Sequence, residues 1–303
     1  MKNYFPFLLL TAVLWLVSCN SDKKQEADAF INELEGVSDT PAISEETIND
    51  ILQQIPSPLE ISMLMRESGS EYDRTILSDP DNVSKFNTSF KRAINLGIYG
   101  TDLMYTNIFN QNQEGLSYIK AVKELADDLN IGQFFDLRLV GRLATSNNNL
   151  DSLMLITTQN FNSINRYLQE TKRANLSILL LVGGWMEAVH INCQMSIGNP
   201  EITAVAERIG EQKMILENIM LLMSFYAEND KQSGISELYE DMKQLKAAYA
   251  NIEITYTYAE PTTEIIDGIL MIKDNSKSTV HITPENVIEI DRVLSTIRNK
   301  LTS

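Results

Sequence analysis

Leu176-Ser177-Ile178-Leu179-Leu180-Leu181-Val182-Gly183-Gly184-Trp185-Met186-Glu187-Ala188-Val189-His190-Ile191-Asn192-Cys193 is the stretch on which the fold turns. Its first half is apolar on every side of a helix, which suits either a membrane span or a helix buried inside a domain. Glu187, His190 and Asn192 then follow at once. Ionisable groups are costly in hydrocarbon, so the stretch reads as a core helix over 175–195 rather than a span. Mid-helix glycine costs about 1 kcal/mol relative to alanine, and close approach of a second helix is the usual return for it. Gly183 and Gly184 are therefore expected at a helix crossing.

Working outward, the 3.6-residue period continues on both sides. Helices are expected over 44–55, 59–65, 83–110 (one long or bent helix), 114–129, 133–144, 150–171, 200–227 and 235–250. Asp79-Pro80-Asp81 marks a turn, and short separators such as Asn130-Ile131-Gly132 and Gly198-Asn199-Pro200 favour antiparallel neighbours. Near the C-terminus the period changes to two: Ile252, Ile254, Tyr256 and Tyr258 alternate with Glu253, Thr255 and Thr257. A second strand is expected over 278–282, making a small β-hairpin or extended arm. Thr283-Pro284-Glu285 supplies an N-cap, a proline at the first helical position and an early acid, so a last helix runs through Leu301. The fold class is mainly α, an antiparallel helical bundle.

Lys91-Arg92-Ala93 recurs as Lys172-Arg173-Ala174, each followed by an apolar stretch containing glycine. In one copy this is Gly97-Ile98-Tyr99-Gly100-Thr101-Asp102, in the other Val182-Gly183-Gly184-Trp185-Met186-Glu187. Asn107 follows Asp102 at the spacing by which Asn192 follows Glu187. Two readings stand: an internal duplication, or two core helices meeting the same packing demand.

The candidate chemistry gathers in these stretches. Glu187 and His190 lie at i and i+3, on one face of a helix, and the matching positions of the other stretch hold Asp102 and Tyr105. A di-iron bundle site needs two Glu-x-x-His pairs and two further carboxylates. This chain has only His190 and His281, so that site is excluded and no metal is expected. Asp102, Tyr105, Glu187 and His190 remain a candidate binding cluster, read first as polar groups hydrogen-bonded inside the bundle. No Gly-x-Ser-x-Gly elbow, phosphate-cradling loop or Cys-x-x-Cys pair occurs, and neither catalytic residues nor a cofactor is assigned.

The N-terminus says where such a domain sits. Met1-Lys2-Asn3 is followed by an apolar run to Val17, too short for a mature bilayer span, and Leu16-Val17-Ser18-Cys19 closes it. This layout resembles the lipobox of bacterial lipoprotein signal peptides, of the kind found in Bacteroidota-type envelope lipoproteins. The resemblance implies cleavage before Cys19, lipidation of Cys19, and anchoring to a membrane. The expected organisation is a signal peptide over 1–18, a lipidated cysteine and polar tether over 19–42, and a helical domain over 43–303. Asn20, where an Asp would imply inner-membrane retention, implies the outer membrane, with the domain facing the periplasm or the cell surface.

Cleavage would leave 303 − 18 = 285 residues, and since Lys2 is the only charge removed, a net charge of −16 − 1 = −17. So acidic a body repels nucleic acid, which is excluded as a partner. With Cys19 lipidated, Cys193 is unpaired, and its apolar surroundings place it in the core. The reading is a lipid-anchored envelope protein with a non-enzymatic binding or scaffolding role and an unidentified protein or small-molecule partner. The alternative is a ligand-binding, metal-binding or enzymatic helical domain centred on the Asp/Tyr/Glu/His cluster.

Overall fold

Seven α-helices and a β-ribbon follow one another along the chain in a computed structural model, which describes residues 70–135, 150–200, 203–227, 234–266, 269–273, 275 and 277–303. The leader over 1–18, Cys19 and the tether over 19–42, the helices expected over 44–55 and 59–65, and nearly all of that over 133–144 lie outside the described residues. The helices are α1 (Ser89–Ile108), α2 (Asn112–Asp128), α3 (Leu150–Glu170), α4 (Ala174–Gly198), α5 (Thr203–Ala227), α6 (Ile235–Ala248) and α7 (Pro284–Thr302). Between α6 and α7 come strands β1 (Glu253–Thr257), β2 (Thr262–Ile266), β3 (Ile269–Lys273) and β4 (Lys277–His281).

The decisive stretch forms α4, and α1, α3, α5 and α7 all pack on it. Among the described residues it is the one helix long and apolar enough to cross a membrane, yet 83% of its most apolar window is buried inside the fold. It is the core helix. The tightest contact in the bundle is its crossing with α1. A Cβ on Gly97 would strike the Leu180 carbonyl oxygen and the Gly184 nitrogen, and one on Gly183 would strike the Ile94 carbonyl oxygen. At this crossing the Thr101 hydroxyl donates to the Gly97 and Gly184 carbonyls at 3.2 and 3.1 Å. The two stretches that resemble each other in sequence are thus the two helices that meet here. Their packing demand is shared, which accounts for Gly97 and Gly183 without a duplication.

The helix expected over 83–110 is broken. Asp79 and Pro80 start a 3-10 helix over Pro80–Lys85, Phe86 is extended and buried, and Thr88 caps α1 by accepting from the Lys91 N–H at 3.1 Å. Phe86 is one link in a ring series with Tyr99 and Tyr118, and burying it requires the chain to leave the helical path. Helices α1, α2 and α3 are each followed closely by a residue in the left-handed region, Asn110, Asn130 and Lys172, which ends their hydrogen-bond ladders. The cap of α7 forms as expected and is completed by Asn286, whose side chain accepts from the Thr283 N–H.

The C-terminal arm is longer than one hairpin. β1 pairs antiparallel with β4, from Glu253 opposite His281 to Thr257 opposite Lys277. Nested within it, β2 pairs with β3 from Thr262 opposite Lys273 to Ile266 opposite Ile269. Asp267-Gly268, a dipeptide favoured in tight hairpin turns, stands between β2 and β3 in the sequence and was the readable signal for this inner pair. The base of the ribbon is held on α5, where Gly210 leaves room for Val280 and Ile252.

Candidate functional site

Three helices bring charge into the core at one level. Glu187 of α4 and Asp102 of α1 are wholly buried, and Arg298 of α7 nearly so. Arg298 grips Glu187 with two parallel bonds, Nε to Oε2 at 2.5 Å and Nη2 to Oε1 at 2.6 Å. The same Nη2 reaches the Ser78 hydroxyl at 2.7 Å and the Ile76 carbonyl at 3.2 Å. Asp102 lies within hydrogen-bonding reach of Glu187, and its Oδ2 accepts from the Ser78 N–H at 3.2 Å.

Two buried carboxyls beside one guanidinium cannot both be ionised. Burial and the Glu187 charge push Asp102 well above the usual carboxylate range, against the pull of Arg298 and the Ser78 N–H. Burial alone would raise Glu187 too, but the charge and hydrogen bonds of Arg298 outweigh it and hold Glu187 low. Of the two, Asp102 is the carboxyl whose surroundings favour the protonated form. Among the described residues its buried Oδ1 has no hydrogen-bond partner.

One helical turn beyond Glu187, His190 makes the parallel connection. Its Nε2 lies 3.2 Å from the Ile76 carbonyl. Its Nδ1 lies 3.2 Å from Asp291 Oδ1 and 3.4 Å from the Ser295 hydroxyl. Asp291 also accepts from the Gln194 amide at 2.7 Å. Burial would raise Asp291, but bonds from His190, Gln194 and Ser295 keep it below the usual range. Glu187 thus meets Arg298 and His190 meets Asp291, both on α7, with the order reversed, so α4 and α7 run antiparallel.

The structure brings Asp102, Glu187 and His190 together and sets Tyr105 apart. Tyr105 lies one turn further along α1, stacked between Tyr72 and Phe109, with its hydroxyl accepting from the Asp73 N–H at 3.2 Å. All four share one target: the irregular segment 72–79 that precedes α1. Asp102 holds Ser78, Tyr105 holds Asp73, His190 holds Ile76, and Glu187 acts on Ile76 and Ser78 through Arg298. Tyr118 and Tyr99 donate to the Ser78 and Asp79 carbonyls at 2.7 and 2.8 Å, and the Tyr72 hydroxyl donates to Glu114. The segment holds one 3-10 turn, Arg74–Ile76, and buries only Ile76 and Ser78, whose backbone groups are met by side chains.

Arg298, Asp291 and Ser78 escaped the sequence reading. A signal existed for Arg298, which lies four residues after Leu294 within the buried stripe Ile290, Leu294, Ile297 and Leu301. A cation at such a position calls for a buried anion.

The arrangement leaves little for a metal. Arg298 covers both Glu187 oxygens, both imidazole nitrogens have partners, and a divalent cation would sit against a guanidinium. Among the described residues no group of three His, Cys, Asp or Glu side chains is placed to hold one. Cys193 is buried, and burial pushes its thiol up, away from the thiolate a nucleophile needs. A cavity of about 540 Å³, lined in part by Phe90, Lys91, Leu179, Glu237 and Lys300, involves none of the four cluster residues. Comparison with protein-family models, curated proteins and solved structures gives no match.

Proposed function

We propose that this is a lipid-anchored protein of the bacterial outer membrane, tethered through Cys19 and facing the periplasm or the cell surface. It acts by binding or scaffolding rather than by catalysis. The observation that carries the non-enzymatic part is the destination of the polar cluster. Every group in it is turned onto the segment 72–79 or onto Arg298 and Asp291, so the cluster works as a clasp. Among the described residues the clasped segment precedes α1, and it is held by strong, buried, charge-assisted contacts.

Metabolic labelling with a radioactive fatty acid tests the anchor. The wild-type chain should take up label and its processing should stop when lipoprotein signal peptidase is inhibited; a Cys19→Ala chain that still takes up label would end the claim. Turnover of any envelope substrate by the purified protein would overturn the non-enzymatic reading.

A further inference from the structure

The β-ribbon is two-faced, and its apolar face extends past the body that supports it. Ile252 and Val280 are buried at its base against α5, and Ile254 is half-buried. Side chains alternate along a strand, so Tyr256 continues the face of Ile254 within β1, and Tyr258, the first residue past the strand, follows at the same spacing. They are 66% and 68% exposed. Glu253, Thr255 and Thr257 occupy the opposite face.

The edge beside these tyrosines is open. Among the described residues β1 pairs with β4 alone, while β4 lies against α5. The register from 253 to 257 is unbroken, with no bulge or proline, and the charged residues of this pair are confined to its ends, at Glu253 and Lys277. Exposed strands usually carry such guards, because an open edge accepts another strand. A ribbon of only two strands is also marginal in water, so a third would stabilise it. The charge of the region is acidic: residues 253–281 hold Glu253, Glu260, Glu264, Asp267 and Asp274 against Lys273 and Lys277, on a chain of net charge −16.

We propose that the open edge of β1, with Tyr256 and Tyr258, docks an extended, cationic segment of a partner protein. The proposal rests on the binding reading above and gives it a surface. The incoming strand would extend the ladder through its main chain. Lysines or arginines at alternate positions would lie over the two tyrosine rings, their stems covering apolar area and their charges meeting the ring faces. A second copy of this chain, or any acidic partner, would bring like charge to the same place.

The test is fluorescence anisotropy on the purified chain with three labelled peptides. One alternates lysine with valine, one alternates glutamate with valine, and one is the lysine peptide with a central proline that prevents strand pairing. The lysine peptide should bind, more weakly at high salt. Both others should bind at least about tenfold less well, and Tyr256→Ser/Tyr258→Ser should weaken the lysine peptide by about tenfold, the loss of two exposed cation–π contacts. Both replaced side chains are exposed, so the melting temperature of the variant should stay at the wild-type value, which checks its fold. No binding, equal binding of the proline or glutamate peptide, or indifference to the tyrosines would overturn the proposal. So would self-association of the chain through the ribbon, which assigns this face to a second copy. Lipid labelling of Cys19 is read separately, so failure here leaves the anchor standing, and failure there leaves the ribbon standing.

Discussion

Arg298 is what allows Glu187 to remain charged where no water reaches. Removing one partner of a buried ion pair strands the other, at a typical cost of about 3–5 kcal/mol. Arg298→Met should therefore lower the urea-unfolding free energy by roughly that amount. The double variant Arg298→Met/Glu187→Leu should recover part of the loss, because no charge is then left unpaired. A double variant no better than the single one would mean that the pair contributes little beyond packing. At His190, replacement by alanine removes one of the partners of the Ile76 carbonyl, which keeps Arg298, and of Asp291, which keeps Gln194 and Ser295, and should cost about 1 kcal/mol. Melts with chelator and then with zinc should give the same loss. A metal-dependent rise in the wild-type melting temperature, abolished in His190→Ala, would replace the clasp with a metal site.

Asp102 gives the clasp a pH signature. The folded state keeps this proton above the usual carboxylate range, while the unfolded chain releases it within that range. Between the two the native state binds more protons, so this group's contribution falls as pH rises and levels off beyond the folded value. Glu187 and Asp291 act in the opposite sense, their stabilisation being present above the usual range and lost as pH falls through their lowered values. Asp102→Asn removes only the first effect. Its urea midpoint should gain on wild type as pH is raised from the carboxylate range to neutrality; a difference flat in pH would place the proton elsewhere.

At the scale of elements, the crossing of α1 and α4 is set by glycine. The atoms that a Cβ on Gly97 or Gly183 would meet include main-chain atoms of the other helix, which cannot rotate away. Gly183→Ala should force the helices apart and lower stability by about 1–3 kcal/mol or more. Gly100, in the same helix as Gly97, faces open space. Gly100→Ala should stabilise by up to about 1 kcal/mol, since alanine is the better helix former. Thermal melts of the two variants should move in opposite directions, and equal losses would show that backbone contact is not the cause. The glycine pair and the caps at Thr88 and Thr283 are local features, and all but the Thr88 cap were read from the sequence. The break at Phe86 was not, because Val83 to Asn110 carries helical periodicity throughout and only burial of the Phe86 ring among Tyr99 and its neighbours pulls the chain out of the helix.

For the molecule as a whole, the clasped segment 72–79 is held on the bundle by side chains from α1, α2, α4 and α7. Ser78→Pro deletes the N–H that Asp102 accepts from and the hydroxyl that Arg298 donates to, while both Glu187–Arg298 bonds keep their partners. Limited proteolysis should then cut within 70–79 sooner than in wild type, with α4 and α7 as resistant as before. Simultaneous loss of resistance in α4 would mean that the segment and the core open together. The sequence alone determined the described helices apart from the break at Phe86, the strand period of β1 and the burial of α4, because each follows from side-chain pattern and capping within a few neighbouring residues. It also determined that Asp102, Tyr105, Glu187 and His190 belonged to one problem. Only the tertiary structure decided what that problem was, because Ile76, Ser78, Glu187 and Arg298 are more than a hundred residues apart at the widest and meet only when α1, α4 and α7 pack. Tertiary packing likewise decided that the tyrosines of β1 stand clear of α5: alternation shows which residues share a face, and only the reach of the neighbouring helix determines where that face stops being covered.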